Sequence, residues 1–303
     1  MLLTEQNRES ASARWRRRVK RRLVPLVLLV CGVLALFGIR RIERAMTFHP
    51  ERYAPGDAWR LPARGEDVWL TSADNVRLHG WFVRAAAEPA VGTFIYFHGN
   101  GGNLSYIGWL AEALSERGFD VLMLDYRGYG RSEGEALDEH GIYADADAAY
   151  DYLTRERKVS PERIILYGQS LGTTAAVDVA SRRSCAGVVL ESGLSSAREM
   201  AALILPPGFR WLHGLAKNSF ASTRKLESVR CPVLVTHGAL DRTIPVEQGQ
   251  LLYNAAREPK RLLIIPDAGH NDMVARGGKE YLDKIASFAR EAVERNVGKA
   301  VAG

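Results

Sequence analysis

The stretch IILYGQSLG, residues 164–172, carries the strongest indication of fold and chemistry in the chain. Its four leading apolar residues are typical of a strand buried on both faces, and a helix-favouring stretch follows its last glycine. Ser170 is therefore predicted to lie on a tight turn between a strand and a helix, with its hydroxyl projecting outward. Glycines at 168 and 172 suit this turn, because a side chain at either position would collide with the strand or the helix.

Continuous apolar runs recur on both sides of this turn, and helical periodicity separates most of them. The predicted buried strands are 93–97, 121–124, 164–167, 188–190, 233–236 and 262–265. Residues 67–83 alternate between apolar and polar around a turn, which predicts a hairpin. The sequence therefore predicts an α/β fold with a mostly parallel eight-stranded sheet, helices on both faces, and ligands at the carboxyl ends of the strands. An amphipathic helix at 278–297 is predicted to close the fold.

The chain is predicted to consist of four consecutive parts. They are a basic tail at 1–22, an apolar segment at 23–39, a connector at 40–65 and a folded domain at 66–303. Within the domain, residues 193–230 are more than one crossover needs and carry many apolar side chains. This interval is predicted to form a small cap over the strand ends.

The segment 23–39 is predicted to be one transmembrane helix. Its seventeen residues carry no charge, and as a helix they would span about 26 Å, near the thickness of the hydrocarbon core of a membrane. A buried core helix is the alternative, but the segment is apolar all round and has arginines at both ends. No small-x-small cleavage site follows, which favours a retained signal anchor. Seven basic residues at 14–22 place the N-terminus in the cytoplasm and the domain across the membrane, in the periplasm of a bacterium.

The net charge of +6 arises entirely in the terminal tail. Residues 1–22 hold eight Lys or Arg against two Glu, so the rest of the chain is neutral overall. A basic face on the folded domain is therefore not predicted, and nucleic acid is not expected as a partner.

Three cysteines are too few for a disulfide framework, and Cys31 falls in the apolar segment. Cys185 and Cys231 each precede a predicted strand and could approach each other if those strands are neighbours. Buried thiols are the favoured interpretation, and a disulfide in an oxidising compartment is the alternative.

A serine hydroxyl is a poor nucleophile near neutral pH, so Ser170 needs a base within hydrogen-bond reach. His270 lies on the loop after the predicted strand 262–265 and is the best candidate for that base. His98 and His237 each stand between a strand and a glycine, and both are predicted to be structural, with hydrogen bonds to nearby backbone.

The base in turn needs an acid that orients it. Asp241 lies on the loop after the penultimate strand and is the preferred candidate. Glu191, at the end of an earlier strand, is its rival. Asp267 and Asp272 flank His270 too closely to hold its ring easily.

Acyl transfer also needs donors for the oxyanion that develops, usually two backbone N–H groups. The N–H of Leu171, directly after the serine, is one candidate. The glycine-rich loop 98–103 follows a strand and offers the N–H of Asn100 as the second. A phosphate cradle is the alternative for this loop, but the Lys-Ser/Thr ending of a P-loop is missing. No spacing typical of a metal site occurs, so neither a metal nor a cofactor is expected.

Five motifs resemble the serine α/β-hydrolase superfamily, and their order along the chain is the one found there. They are FHGNGGN at 97–103, DYRGYGRSEG at 125–134, GQSLG at 168–172, HGALDRTIP at 237–245 and AGHND at 268–272. The resemblance is greatest to a membrane-anchored branch with a short cap, which includes protein depalmitoylases and lysophospholipases. It implies a catalytic triad of Ser170, Asp241 and His270 and an oxyanion hole of Asn100 and Leu171.

The expected function is that of a membrane-anchored serine hydrolase. It would cleave a carboxylic ester or thioester of an apolar acyl group, in a small-molecule or lipid-like substrate, through an acyl-enzyme. A serine peptidase or aminopeptidase is one alternative. A catalytically inactive scaffold, which would use the fold to bind a partner at the membrane, is the other.

Overall fold

A mixed eight-stranded sheet lies between two layers of helices. The computed structural model describes residues 3–302, without the side chains of 3–14, 17–20, 22, 24, 27, 204, 212, 213 and 299–302. The strands are β1 His49–Pro50, β2 Gly65–Thr71, β3 Arg77–Val83, β4 Thr93–Phe97, β5 Gly101–Gly102, β6 Asp120–Leu124, β7 Ile164–Gln169, β8 Gly187–Glu191, β9 Val233–Gly238 and β10 Lys260–Ile265. The α-helices are α1 Leu3–Thr47, α2 Gly108–Ser115, α3 Glu139–Asp151, α4 Gly172–Arg182, α5 Ala197–Ile204, α6 Ser222–Leu226, α7 Val246–Ala255 and α8 Met273–Ala302.

The strand order across the sheet is β10-β9-β8-β7-β4-β6-β3-β2. Within this sheet only β3 runs against the others, because it pairs antiparallel with both β2 and β6 while all other pairs are parallel. The predicted α/β fold, its mostly parallel eight-stranded sheet and its hairpin are confirmed. The carboxyl ends of the parallel strands meet at one edge, where ligands of such sheets gather.

Each face of the sheet buries its own apolar cluster, as strands with continuous apolar sequence require. Helices α2 and α8 cover one face and bury Leu114 and Ile285 there. Helices α3, α4 and α7 cover the other face, where Val177 and Leu252 are buried. The element α8 consists of two helical segments that meet at Gly278, whose φ of 60° is not helical, and the predicted closing helix 278–297 corresponds to the second segment.

The N-terminal helix extends further than the sequence indicated. Helix α1 ends at Thr47, so the first residues of the predicted connector 40–65 are helical. Neither Gly nor Pro occurs between residues 40 and 47, and the first proline after them is Pro50. The predicted anchor segment 23–39 lies inside α1. Among the helices in the part of the chain that the structure describes, none is long and apolar enough to cross a membrane.

The cap is smaller than the interval 193–230 that predicted it. Helix α5 and a 3₁₀ segment, Pro207–Leu215, form it. The later part of the interval belongs to the body, because α6 packs beside α4 and its Leu226 is fully buried.

Cys185 and Cys231 lie next to each other at the starts of neighbouring strands. Their Sγ atoms are 3.1 Å apart, and both are free thiols. Cys185 is buried, whereas Cys231 is only partly buried.

Candidate active site

Ser170 sits on a strained turn between β7 and α4. Its φ is +52°, in the left-handed region that residues with a Cβ seldom adopt. A Cβ on Gly168 would lie 2.3 Å from the carbonyl oxygen of Gly172, and a Cβ on Gly172 would lie 2.0 Å from that of Phe97. Both positions therefore exclude a side chain, as the sequence predicted, and this close packing presents Ser170 at the carboxyl end of β7.

The structure brings Ser170, His270 and Asp241 into one chain of hydrogen bonds. The Oγ of Ser170 lies 2.9 Å from Nε2 of His270. The Nδ1 of the same ring lies 2.7 Å from Oδ2 of Asp241. Along the chain, His270 is 100 positions from Ser170 and 29 positions from Asp241. In this arrangement His270 can accept the serine proton at Nε2 while Asp241 fixes the tautomer through Nδ1.

Asp241 is held by more groups than the sequence predicted. Its Oδ1 accepts hydrogen bonds from the backbone N–H groups of Thr243 and Ile244, both at 2.8 Å. Nε2 of His237 lies 3.3 Å from its Oδ2. Burial raises the pKa of the Asp241 carboxyl, but the hydrogen bonds from His237, His270 and the Ile244 N–H outweigh burial and hold this pKa below its usual value. The carboxylate thus stays ionised and oriented.

His237 is the residue whose contribution here the sequence did not reveal. Its ring donates to the backbone oxygen of Ile244 at 2.8 Å, so the predicted hydrogen bond to nearby backbone is present. The same nitrogen also faces Asp241, four positions along the chain. The only indication in the sequence was that His237 and Asp241 are four residues apart at the end of one strand.

Glu191, the rival acid, has other partners. Its Oε2 accepts hydrogen bonds from the hydroxyls of Tyr167 and Tyr281, and its Oε1 accepts one from Nε2 of Gln169 at 3.1 Å. Burial raises the pKa of Glu191, and these hydrogen bonds oppose the shift only in part. The carboxylate that contacts the His270 ring is therefore Asp241.

The two carboxylates that flank His270 do not contact its ring. Asp272 accepts the Gly269 N–H at 2.6 Å and binds Arg276, which fixes the turn before the histidine. Asp267 is exposed.

The loop that carries Asn100 packs directly beside the nucleophile. A Cβ built on Gly99 would lie 3.5 Å from Cβ of Ser170. The carbonyl of Asn100 accepts hydrogen bonds from the His49 N–H and from the Tyr129 hydroxyl, each at 2.8 Å. Asn100 and Leu171 both line the cavity that contains Ser170. Their proposed role as oxyanion donors stays a prediction.

The segment 125–134 supports this loop from behind. The hydroxyl of Tyr126 donates to the His98 carbonyl at 3.1 Å, one residue before the loop turns. The backbone closes tightly on itself, since a Cβ on Gly130 would lie 1.9 Å from Oδ2 of Asp125. His98 is buried, and its Nδ1 contacts the Gly99 carbonyl at 2.8 Å, in agreement with a structural role. The segment therefore acts as a structural turn beside the site.

Ser170 and His270 open into a cavity of about 1150 Å³ with a mainly apolar lining. Among the described residues that line it there is no Lys or Arg, and Glu43 and Glu191 are its carboxylates. No group of three His, Cys, Asp or Glu side chains in the described part of the chain could hold a metal ion. Such a cavity suits a neutral, apolar substrate group.

Comparison with known proteins agrees with this geometry. Residues 88–223 match the family described as serine aminopeptidase, S33. Uncharacterized protein YfhR of Salmonella typhi is 34% identical over 296 residues, covering 92% of this chain and 97% of its own. Alpha/beta hydrolase domain-containing protein 17C of Mus musculus is 37% identical over 219 residues, which are 72% of this chain and 65% of the relative. This chain belongs to the α/β-hydrolase superfamily.

A solved structure shows the same fold for this α/β hydrolase. The Pyrococcus furiosus esterase Pf2001 superposes with a TM-score of 0.65 over 81% of this chain and 97% of its own, at 22% identity. The solved structure shows the fold, and the sequence relatives confirm the predicted membership of a hydrolase superfamily.

Proposed function

We propose that this hydrolase cleaves carboxylic esters or thioesters of apolar acyl groups, with Ser170 as its nucleophile. The observation that carries the proposal is the hydrogen-bond chain Ser170–His270–Asp241 at the wall of a large apolar cavity. The chain supplies an activated serine, and the cavity supplies apolar surface for the acyl group.

In the first half of the reaction, Oγ of Ser170 attacks the substrate carbonyl carbon and His270 takes the serine proton at Nε2. The negative charge that develops on the carbonyl oxygen would be stabilised by the N–H groups of Asn100 and Leu171. His270 then gives its proton to the departing alcohol or thiol, which leaves an acyl-enzyme. In the second half, His270 activates a water molecule, which attacks the acyl-enzyme and releases the acid.

The charges in the cavity favour an ester over an aminopeptidase substrate. An aminopeptidase must bind a free ammonium group, and a carboxylate with open acceptor capacity is the usual partner for one. Glu43 already accepts three hydrogen bonds from Lys217 and Asn218. Glu191 accepts three more, from two tyrosines and a glutamine. Both cavity carboxylates are thus engaged, so the proposal is an acyl esterase or thioesterase.

A fluorophosphonate probe tests the nucleophile. Detergent-solubilised wild-type protein should be labelled, and Ser170→Ala and His270→Ala should lose the labelling. His140→Ala, which changes an exposed histidine on α3, is the matched control and should be labelled like the wild type. p-Nitrophenyl acyl esters and aminoacyl anilides are then compared as substrates. Folded wild-type protein that is never labelled, or that cleaves only the anilides, would refute the proposed function.

We also propose that residues 23–39 hold the enzyme at a membrane, with the N-terminus in the cytoplasm and the hydrolase domain on the other side. The uncharged run with its arginine flanks supports this, as does the exposure of Leu28, Leu34 and Phe37, each 60% or more exposed. Apolar side chains exposed in such numbers mark a surface that is covered by something else.

Carbonate extraction of cell membranes tests the attachment. Wild-type protein should stay with the membranes, and a Leu29→Arg/Val33→Arg variant should be released. Val297→Arg, on the exposed side of α8, is the control. A reporter enzyme fused to the C-terminus and active only outside the cytoplasm tests the orientation. Release of the wild type, or a silent fusion, would contradict the corresponding part of the proposal.

A further inference from the structure

One wall of the cavity comes from a part of the chain far from the triad in sequence. The residues of α1 that line it are Ile39, Ile42, Glu43, Met46 and Thr47. Their spacing places them on one face of a helix, one above the other. The last two turns of α1 thus present a single face to the cavity that holds Ser170.

Glu43 fixes this face to the body of the hydrolase. Its Oε1 accepts hydrogen bonds from the backbone N–H of Asn218 at 2.8 Å and from Nδ2 of the same residue at 2.7 Å. Its Oε2 accepts the backbone N–H of Lys217 at 2.8 Å. Hydrogen bonds to an ionised carboxylate are stronger than those between neutral groups. The segment that follows the cap is therefore tied to α1 through one side chain.

Two further contacts show that this end of α1 is an integral part of the domain. Phe48, directly after the helix, is 4% exposed, and its ring packs edge-on against Phe220 with centroids 6.5 Å apart. Asn218, which Glu43 holds, also accepts the Glu139 N–H at 2.6 Å and so links the tie to α3. Polar and apolar contacts thus both hold this end of α1 against the hydrolase domain.

Two apolar side chains on this wall are largely exposed. Ile42 is 62% exposed and Met46 is 61% exposed, although both line the cavity. Exposed apolar surface of this kind gains free energy when an apolar ligand covers it. Other apolar lining comes from α2, from the cap and from the start of α8, for example from Leu110, Met200 and Val274.

We propose that α1 is part of the acyl-binding site. In this proposal Ile42 and Met46 contact the acyl chain of the substrate and set the chain length that is cleaved best, and Glu43 is a positioning residue that holds them there. The inference rests on the proposed esterase or thioesterase function and deepens it. It assigns the choice of acyl chain to α1 together with the cap.

The test uses the full chain and a series of p-nitrophenyl esters from butyryl to hexadecanoyl, with rates normalised to the fraction labelled by the fluorophosphonate. The double variant Ile42→Ala/Met46→Ala is compared with Leu34→Ala/Phe37→Ala. The control pair is on the same helix, is equally exposed and does not line the cavity. The ratio of kcat/KM for dodecanoyl to butyryl ester should fall about tenfold in the first variant, as expected when roughly two methylene groups lose their contacts. The ratio should stay at the wild-type value in the control.

Two more variants separate this role from a general structural one. Ile42→Trp adds volume at the same place and should move the best-cleaved ester to a shorter chain. Glu43→Gln keeps one acceptor oxygen but turns an amide group toward the Lys217 or Asn218 donors. It should raise KM for the dodecanoyl ester with little change in kcat, since the wall is loosened and the triad is not.

The outcomes distinguish the two proposals. A wild type that cleaves no ester of any length refutes the proposed function, and the inference falls with it. A wild type with a clear length preference that the Ile42 and Met46 variants leave unchanged refutes the inference alone. A shift in preference that the Leu34/Phe37 control shows equally would also refute it, because α1 would then act without direct contact.

Discussion

Ser170 and Ile42 line the same cavity, but the first is 8% exposed and the second is 62% exposed. The serine is held by a strained backbone, by glycines that leave no room for a Cβ, and by a hydrogen bond of 2.9 Å to His270. The isoleucine sits on a helix face that one carboxylate, Glu43, ties to the body. The region around Ser170 is thus over-determined, in the sense that several independent contacts fix it. The α1 wall depends on few contacts.

This difference separates the chemistry from the choice of substrate. The side chains of Ser170, His270 and Asp241 must approach one another to 2.7 to 2.9 Å, and the sheet and backbone hydrogen bonds fix their positions. A substitution cannot change these positions by small steps. Apolar side chains at the cavity wall can be exchanged with small cost, because their contacts are non-directional. Substitutions in the two regions should therefore differ in kind: loss of rate or fold in the first, and altered preference in the second.

The largest expected effect is that of Asp241→Asn on the rate. The new side chain keeps the oxygen that accepts from Thr243 and Ile244, but its amide group would face Nδ1 of His270 and favour the wrong tautomer. We expect kcat for a butyryl ester to fall about 10⁴-fold while the fold is retained, as the same change does in serine proteases. Asp267→Asn, an exposed neighbour of the histidine, is the control and should be nearly as active as the wild type. A loss of less than tenfold would show that another group orients the base.

The next effect concerns stability and compares a glycine beside the nucleophile with a glycine in the cap. In Gly172→Ala the new Cβ would lie 2.0 Å from the Phe97 oxygen, whereas a Cβ on Gly208 in the cap meets nothing within 4 Å. We expect Gly172→Ala to cost at least about 3 kcal/mol of unfolding free energy, because the atoms of Phe97 and His98 that the new Cβ would meet all belong to the backbone and cannot move away. Gly208→Ala should stay within about 0.5 kcal/mol of the wild type. Urea unfolding followed by circular dichroism measures both, and equal effects would contradict the contrast.

The over-determined region was also the one that the sequence indicated best. The strand, the glycines and the serine of the turn are contiguous, so their signal is local. Asp241 and His270 lie on the loops after the last two strands, and the parallel order of the sheet brings those strand ends to one edge. The second contact of His237 was harder to foresee, because one nitrogen faces both a backbone oxygen and the carboxylate.

The sequence indicated the α1 wall and the extent of the cap less clearly. The contribution of α1 to the cavity joins residues near position 43 with residues near 218, and no local pattern reveals such a contact. The cap was predicted too long because apolar composition does not separate a side chain such as Leu226, buried in the body, from the exposed Phe209 of the cap. Contacts between distant segments require the folded structure, whereas turns and strand ends can be found in the sequence.

The smallest effect tests how firmly the proposed oxyanion loop is held, using two tyrosines with the same kind of contact. Tyr129 donates to the backbone oxygen of Asn100 at 2.8 Å, and Tyr150 donates to that of Ser184 at 2.7 Å, away from the residues that line the cavity. Removing either hydroxyl with phenylalanine should cost about 1 kcal/mol of stability, the usual worth of such a bond. Only Tyr129→Phe should also lower kcat, by up to about tenfold, because the Asn100 carbonyl then keeps a single hydrogen bond, from the His49 N–H, and the residue that carries the proposed oxyanion donor is held less firmly.

Urea unfolding and butyryl ester kinetics on both variants measure the two quantities. Equal losses of stability with a lower kcat in Tyr129→Phe alone would show that the Tyr129 hydroxyl acts on the loop beside Ser170 and not merely on the fold. If kcat is unchanged in both, the close packing of Gly99 on Ser170 is sufficient to position the Asn100 N–H. The over-determined region would then tolerate the loss of a single hydrogen bond, and its difference from the α1 wall would be larger still.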